Sequence, residues 1–64
     1  MENYNDILRQ RRNELRVNIS YAEQAAENAR RCDNDDLADR CYDRIVELRK
    51  ELEEVEKVCD KFDI

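Results

Sequence analysis

The stretch from Ala38 to Phe62, ADRCYDRIVELRKELEEVEKVCDKF, decides the fold. Its apolar residues stand at Ala38, Cys41, Ile45, Leu48, Leu52, Val55, Cys59 and Phe62, alternating steps of three and four without a break. Such steps return to one stripe of a helix with about 3.6 residues per turn, so the spacing is an a/d heptad seam. A charged residue in any of the eight slots would interrupt it, and none does. The pattern predicts a helix over about 35–62.

Working back toward the N-terminus, the same period recurs at Leu8, Leu15, Ile19, Ala22, Ala26 and Ala29, with Asn5 and Arg12 in the two remaining seam slots. This predicts a second, weaker seam and a helix over about 4–31. Between the helices lies Cys32-Asp33-Asn34-Asp35-Asp36. Its short polar side chains suit the free amides that open a helix, and Asn tolerates the left-handed conformation that closes one, so a turn is expected over about 32–35. Charge agrees with this punctuation. Arg30 and Arg31 stand at the carbonyl end of the first helix and Asp33, Asp35 and Asp36 at the amide end of the second.

A short connection makes neighbouring helices antiparallel, and the register follows from pairing seam positions whose residue numbers sum to 67. Ala29 then faces Ala38, Ala26 faces Cys41, Ala22 faces Ile45, Ile19 faces Leu48 and Leu15 faces Leu52. Toward the termini Arg12 faces Val55, Leu8 faces Cys59 and Asn5 faces Phe62. The symmetry point of the sum falls between Asp33 and Asn34, inside the polar turn located on separate grounds. The expected fold class is all-α: one domain over residues 1–64, an antiparallel, coiled-coil-like two-helix hairpin that dimerises into a four-helix bundle.

Composition points the same way. The 64 residues contain no Gly, Pro, His or Trp, with 45% charged and 41% hydrophobic positions. Absence of Gly and Pro removes the usual turn formers and favours long helices. Without His or Gly-rich loops, histidine-based acid–base chemistry, His-containing metal sites and phosphate-cradling loops are excluded, so no catalytic, metal or cofactor site is expected. The three cysteines, Cys32, Cys41 and Cys59, are an odd set read as small apolar residues, with Cys32 the least buried, in a reducing, cytoplasmic setting. No basic segment leads into an apolar run that would read as a signal peptide, and no stretch has the length of a membrane span.

Charge is divided unequally. Residues 1–32 hold six cations against five carboxylates, and residues 33–64 hold six against twelve. The arginines Arg9, Arg11, Arg12 and Arg16 cluster on the first helix, where the plain reading is pairing with the acidic second helix, Arg9 across from Glu56. Arg16 would meet Arg49 and must look elsewhere. Arg12, a cation in the seam, is read as snorkelling out of a loose layer. The alternative reading is a phosphate-contacting strip of Arg9, Arg12 and Arg16, which the net charge of -5 opposes at long range.

The flanks of the seam also differ. One carries Arg9, Arg16, Glu23, Arg30, Tyr42, Arg49, Glu56 and Asp63. The other offers Tyr4, Ile7, Tyr21, Ala25 and Cys32 with Leu37 and Val58, interrupted by Arg11, Asn18, Arg44 and Glu51. Tyrosine buries area while keeping a polar tip in water, which favours it at interfaces. Tyr4, Ile7, Tyr21, Ala25, Leu37 and Val58 are therefore the expected interface, either for a second copy or for another protein.

Asp33, Asp35, Ala38, Asp39 and Cys41, at the loop and the start of the second helix, resemble the corresponding stretch of the repressor-of-primer helical hairpins. That resemblance implies a hairpin that dimerises into a four-helix bundle and binds paired RNA hairpins, here through Arg9, Arg12 and Arg16. In length, charge and lack of glycine the chain is also similar to the short helical-hairpin co-chaperones of type III secretion, which implies stoichiometric binding of another protein. The expected function is a non-catalytic interaction module, a small adaptor, inhibitor or chaperone, with the structured-RNA regulator as the alternative.

Overall fold

A computed structural model describes residues 3–64. It contains two α-helices, α1 (Tyr4–Arg31) and α2 (Asp35–Lys61), packed side by side in a body of 46 × 20 × 12 Å. Among the described residues there is no strand. The long dimension is that of a single helix of this length, at about 1.5 Å per residue.

Each helix starts on an asparagine. Asn3 accepts a hydrogen bond from the Asp6 amide at 2.9 Å, and Asn34 accepts one from the Leu37 amide at 3.2 Å. Both supply an oxygen to amides that have no partner within the first turn.

The helix ends are alike too. After α1 the chain passes through Cys32 to Asp33, which adopts a left-handed backbone at φ 56°. The Asn34 amide then reaches back to the Ala29 carbonyl at 2.8 Å and the Asp33 amide to the Arg30 carbonyl at 3.1 Å. After α2 the same bonds run from Ile64 to Cys59 at 2.9 Å and from Asp63 to Asp60 at 3.2 Å, with Asp63 at φ 59°. These are Schellman closures, in which aspartate fills the place that glycine usually takes. The left-handed residue in the turn is thus Asp33, not Asn34, which is occupied in capping α2.

Burial follows the seam. Throughout α1, each seam position from Asn5 to Ala29 is buried or half-buried and every other residue is exposed. In α2 the seam residues from Ala38 to Cys59 are buried or half-buried. Leu15 and Cys59 are fully enclosed, and Leu15, Ile19 and Leu48 form the central cluster against which Ala22, Leu52 and Val55 pack. Antiparallel order is visible in the cross-helix pairs: Arg30 with Tyr42 near the loop, Arg11 with Glu51 further along, Tyr4 with Phe62 at the open end.

The outermost layer differs from the expected Asn5–Phe62 pairing. Phe62 lies beyond the last turn of α2, is half-exposed, and sets its ring edge-on to Tyr4 with centroids 6.2 Å apart. Phe62 is the cap of α2, its amide still bonded to the Val58 carbonyl at 3.1 Å, and the left-handed step at Asp63 just after it brings Ile64 back over Cys59 to a half-buried position.

Candidate functional site

The arginine cluster is engaged within the hairpin. Arg9 pairs with Asp6 of its own helix at 3.8 Å, not with Glu56 across the seam. Arg16 takes Glu56 at 3.4 Å, and the next heptad repeats the step with Glu23 and Arg49 at 2.9 Å. Side chains on a helix lean toward its N-terminus, so in antiparallel helices residues offset in this sense lean toward each other. Arg11 joins Glu14 at 3.7 Å and Glu51 at 2.9 Å. Most of these groups are about half-exposed, so each pair contributes little stability and serves mainly to fix side-chain direction.

Arg12 does not snorkel to open water. Its Nη1 donates to the backbone carbonyl of Ile64 at 3.0 Å, and its Nε is buried with no hydrogen-bond partner. Near the loop, the Arg30 guanidinium donates to the Tyr42 hydroxyl at 3.3 Å, and that bond is the first cause of its pKa being raised above the ordinary value. The three residues of the expected RNA strip, Arg9, Arg12 and Arg16, therefore all carry partners of their own, and each points to a different one.

The opposite flank is unpartnered over two patches. At the loop end Tyr21 is 67% exposed and Leu37 44%, with Ala25 exposed beside them. Tyr21, Ala22 and Ala25 of α1 and Arg40, Cys41 and Arg44 of α2 line a shallow groove there. At the open end lie Tyr4 at 60% and Ile7 at 49%, with Val58 half-buried. Between the patches run Asn18 and the Arg11–Glu51 pair. The expected interface residues thus share a flank but form two apolar ends, about 20 Å apart along α1 from Ile7 to Tyr21, around a polar middle.

Arg40 and Arg44 were not singled out as site residues by the sequence. Among the described residues neither makes an ion pair, in contrast to Arg9, Arg11, Arg16, Arg31 and Arg49. A signal was present: both fall on the flank of Leu37 and Val58, in a helix otherwise rich in carboxylates.

The hairpin exposes 5201 Å². A compact monomer of 7.8 kDa would expose roughly 4,400 Å² by the usual mass scaling. The excess, roughly 800 Å², is what an elongated body of 46 × 20 × 12 Å exposes over a compact one of the same mass.

The cysteines divide by access: Cys32 is exposed, Cys41 half-buried and Cys59 buried. Among the described residues no helix is long and apolar enough to cross a membrane. Comparison of the chain with protein-family models, curated proteins and solved structures returned no match.

Proposed function

We propose that this chain is a non-catalytic protein–protein interaction module that acts by stoichiometric occupancy, as a small adaptor, inhibitor or chaperone. Its docking surface is the flank of Tyr4, Ile7, Tyr21, Ala25, Leu37 and Val58, which also serves self-association into a four-helix bundle. The setting is cytoplasmic and reducing, in which the three cysteines remain thiols. One observation carries the reading: Tyr4, Ile7, Tyr21 and Leu37 are all left exposed on this flank, whereas on the opposite flank, among the described residues, Tyr42 is the one exposed large hydrophobic side chain beside the Arg16–Glu56 and Glu23–Arg49 pairs. Val17 and Val46 are exposed singly elsewhere, as scattered apolar residues on a surface are, whereas exposed apolar side chains that share a flank are the physical mark of a surface made to be covered.

Affinity capture of the full chain from its native cell tests this, with the recovered material divided into protein and nucleic acid. Protein should be recovered, and Tyr21→Glu with Val58→Glu should lose it, with binding nearly insensitive to salt. Recovery of RNA whose binding falls steeply with ionic strength through counterion release, and is lost on changing Arg9, Arg12 and Arg16, would replace this reading with the RNA regulator.

A further inference from the structure

Two arginines at the loop end border an apolar groove that holds nothing of opposite charge. Arg40 and Arg44, one turn apart on α2, line it with Tyr21 and Ala25 of α1, and the half-buried Ala22 and Cys41 form its base. On α1 the docking flank over this half reads Asn18, Tyr21, Ala25, Asn28 and Cys32, all uncharged. At about 100° per residue, Asp36 and Asp43 fall on the outward face of α2. Among the described residues neither guanidinium forms an ion pair. Elsewhere Arg11, Arg16 and Arg49 each reach a carboxylate of the other helix, and at Arg40 and Arg44 that pattern stops.

We propose that this groove takes a short acidic amphipathic helix of another protein, which lays apolar side chains over Ala22, Ala25 and Cys41 and sets two carboxylates against Arg40 and Arg44. This rests on the docking-surface reading and names the chemistry of the partner.

A helix is the form that fits. Both helices of the hairpin bond their own amides and carbonyls, so their sides offer no row of free backbone groups for an extended strand to pair with. The small residues at the base let a third helix approach both axes at the usual spacing of about 8–10 Å. Carboxylates at i and i+4 of that helix recur every 6 Å or so, the interval that separates Arg40 from Arg44. The partner is short because the groove is. On α2 the flank turns acidic at Glu47, and beyond it the Arg11–Glu51 bond at 2.9 Å bridges the two helices. Leu37 to Arg44 spans about 10 Å, roughly two turns. The apolar base and the exposed Tyr21 ring supply the affinity, and the two arginines select the sign of the partner.

The probe is a pair of synthetic peptides of about three turns, held helical by a side-chain staple, labelled with a fluorophore and built on the same leucine stripe. One carries glutamates at i and i+4 beside the stripe, the other lysines. Read by anisotropy against the full chain, the glutamate peptide should bind at least about tenfold more tightly. The net charge of -5 alone would favour the lysine peptide, so this order reports the arginine pair. Arg40→Glu with Arg44→Glu should reverse the order. Arg31→Glu with Lys57→Glu, which changes the net charge equally at exposed sites away from the groove, should preserve it.

The wild-type chain supplies a readout that needs no variant. On addition of the glutamate peptide the amide resonances of Tyr21, Ala25, Cys41 and Arg44 should shift, and those of Arg16 and Arg49 on the ion-paired flank should not. Equal binding of the two peptides at these amides, or a preference for the lysine peptide, overturns the acidic partner and leaves the docking flank standing. If these resonances move with chain concentration and neither peptide shifts them, a second copy fills the groove and the proposal fails. If nothing shifts them, the groove is not a docking site, and the docking reading is then judged by native capture.

Discussion

Arg12 Nη1 donates to the backbone carbonyl of Ile64 at 3.0 Å, so the one cation in the seam ties α1 to the last turn of the chain at the open end of the hairpin. The same side chain carries an unsatisfied buried Nε, in a seam slot between the buried Leu8 and Leu15. An orphaned buried donor costs about 1–3 kcal/mol, about as much as a hydrogen bond from a charged guanidinium to a carbonyl returns, so the apolar area gained decides the balance.

Arg12→Leu should therefore stabilise the hairpin, by about 1–2 kcal/mol once the lost bond to Ile64 is set against the removed orphan and the added apolar burial. Thermal unfolding checks it. A rise in midpoint of about 5–10 °C is expected for a chain of this size, and a fall would show that the Arg12–Ile64 link matters more than the seam.

Asp33 is held at φ 56°, a region where a side chain with a Cβ is crowded and glycine is not. Asp33→Gly should raise stability by about 0.5–1 kcal/mol, while Asp33→Val should lower it by more, since a β-branched residue resists that conformation most. Asn34, next to it, caps α2 through the Leu37 amide, and Asn34→Ala should cost about 1 kcal/mol. Urea midpoints for the three variants read out all of these signs.

How far the sequence reaches shows in these same residues. The seam was legible because helix burial is set by which side chains share a stripe, and Leu15, Ile19 and Leu48 meet as their period requires. The two ends were less legible. Asp33 and Asp63 replace glycine in left-handed positions, and aspartate is also common in turns and helix starts, so its identity does not announce φ. Phe62 fits the period and is still exposed, because it caps α2 at the open end, where Tyr4 meets only one edge of its ring. Ion-pair partners were misassigned for a different reason. Arg16 finds Glu56 by the lean of both side chains along their helices, a direction that a list of facing Cα positions omits. On the docking flank, Tyr21 and Leu37 stood out by type, whereas the groove that Arg40 and Arg44 line with Tyr21 and Ala25 is seen only once the two helices are packed.

Thiol chemistry should report the fold directly. Under native conditions Cys32 should react with a thiol reagent at the rate of a free thiol, Cys41 more slowly, and Cys59 only as fast as the hairpin opens, because it has no solvent contact. Denaturant should make the three equal. Rapid native reaction of Cys59 would mean that the open end, where Ile64 turns back to the Cys59 carbonyl, is not closed in solution.

Covering the docking flank should also couple folding to association. The core contains few large side chains, and the layers nearest the loop, Ala26, Ala29, Ala38 and Cys41, add little apolar area. Fully burying an exposed Tyr21, Ile7 or Leu37 is worth about 1.5–3 kcal/mol for each large apolar side chain, which is comparable to the total stability of so short a chain. Thermal midpoints should accordingly rise with protein concentration, as mass action demands of any state stabilised by binding. Tyr21→Glu with Val58→Glu should give a monomer of much lower helicity whose midpoint no longer depends on concentration. Tyr42→Glu is the matched control: Tyr42 is 42% exposed on the ion-paired flank, and a carboxylate there would still face Arg30. It should leave both helicity and association unchanged within about 0.5 kcal/mol, the usual range for a surface substitution. If both variants behave alike, the two flanks are equivalent to the folded chain, and the tyrosines on the docking side have no role in its stability.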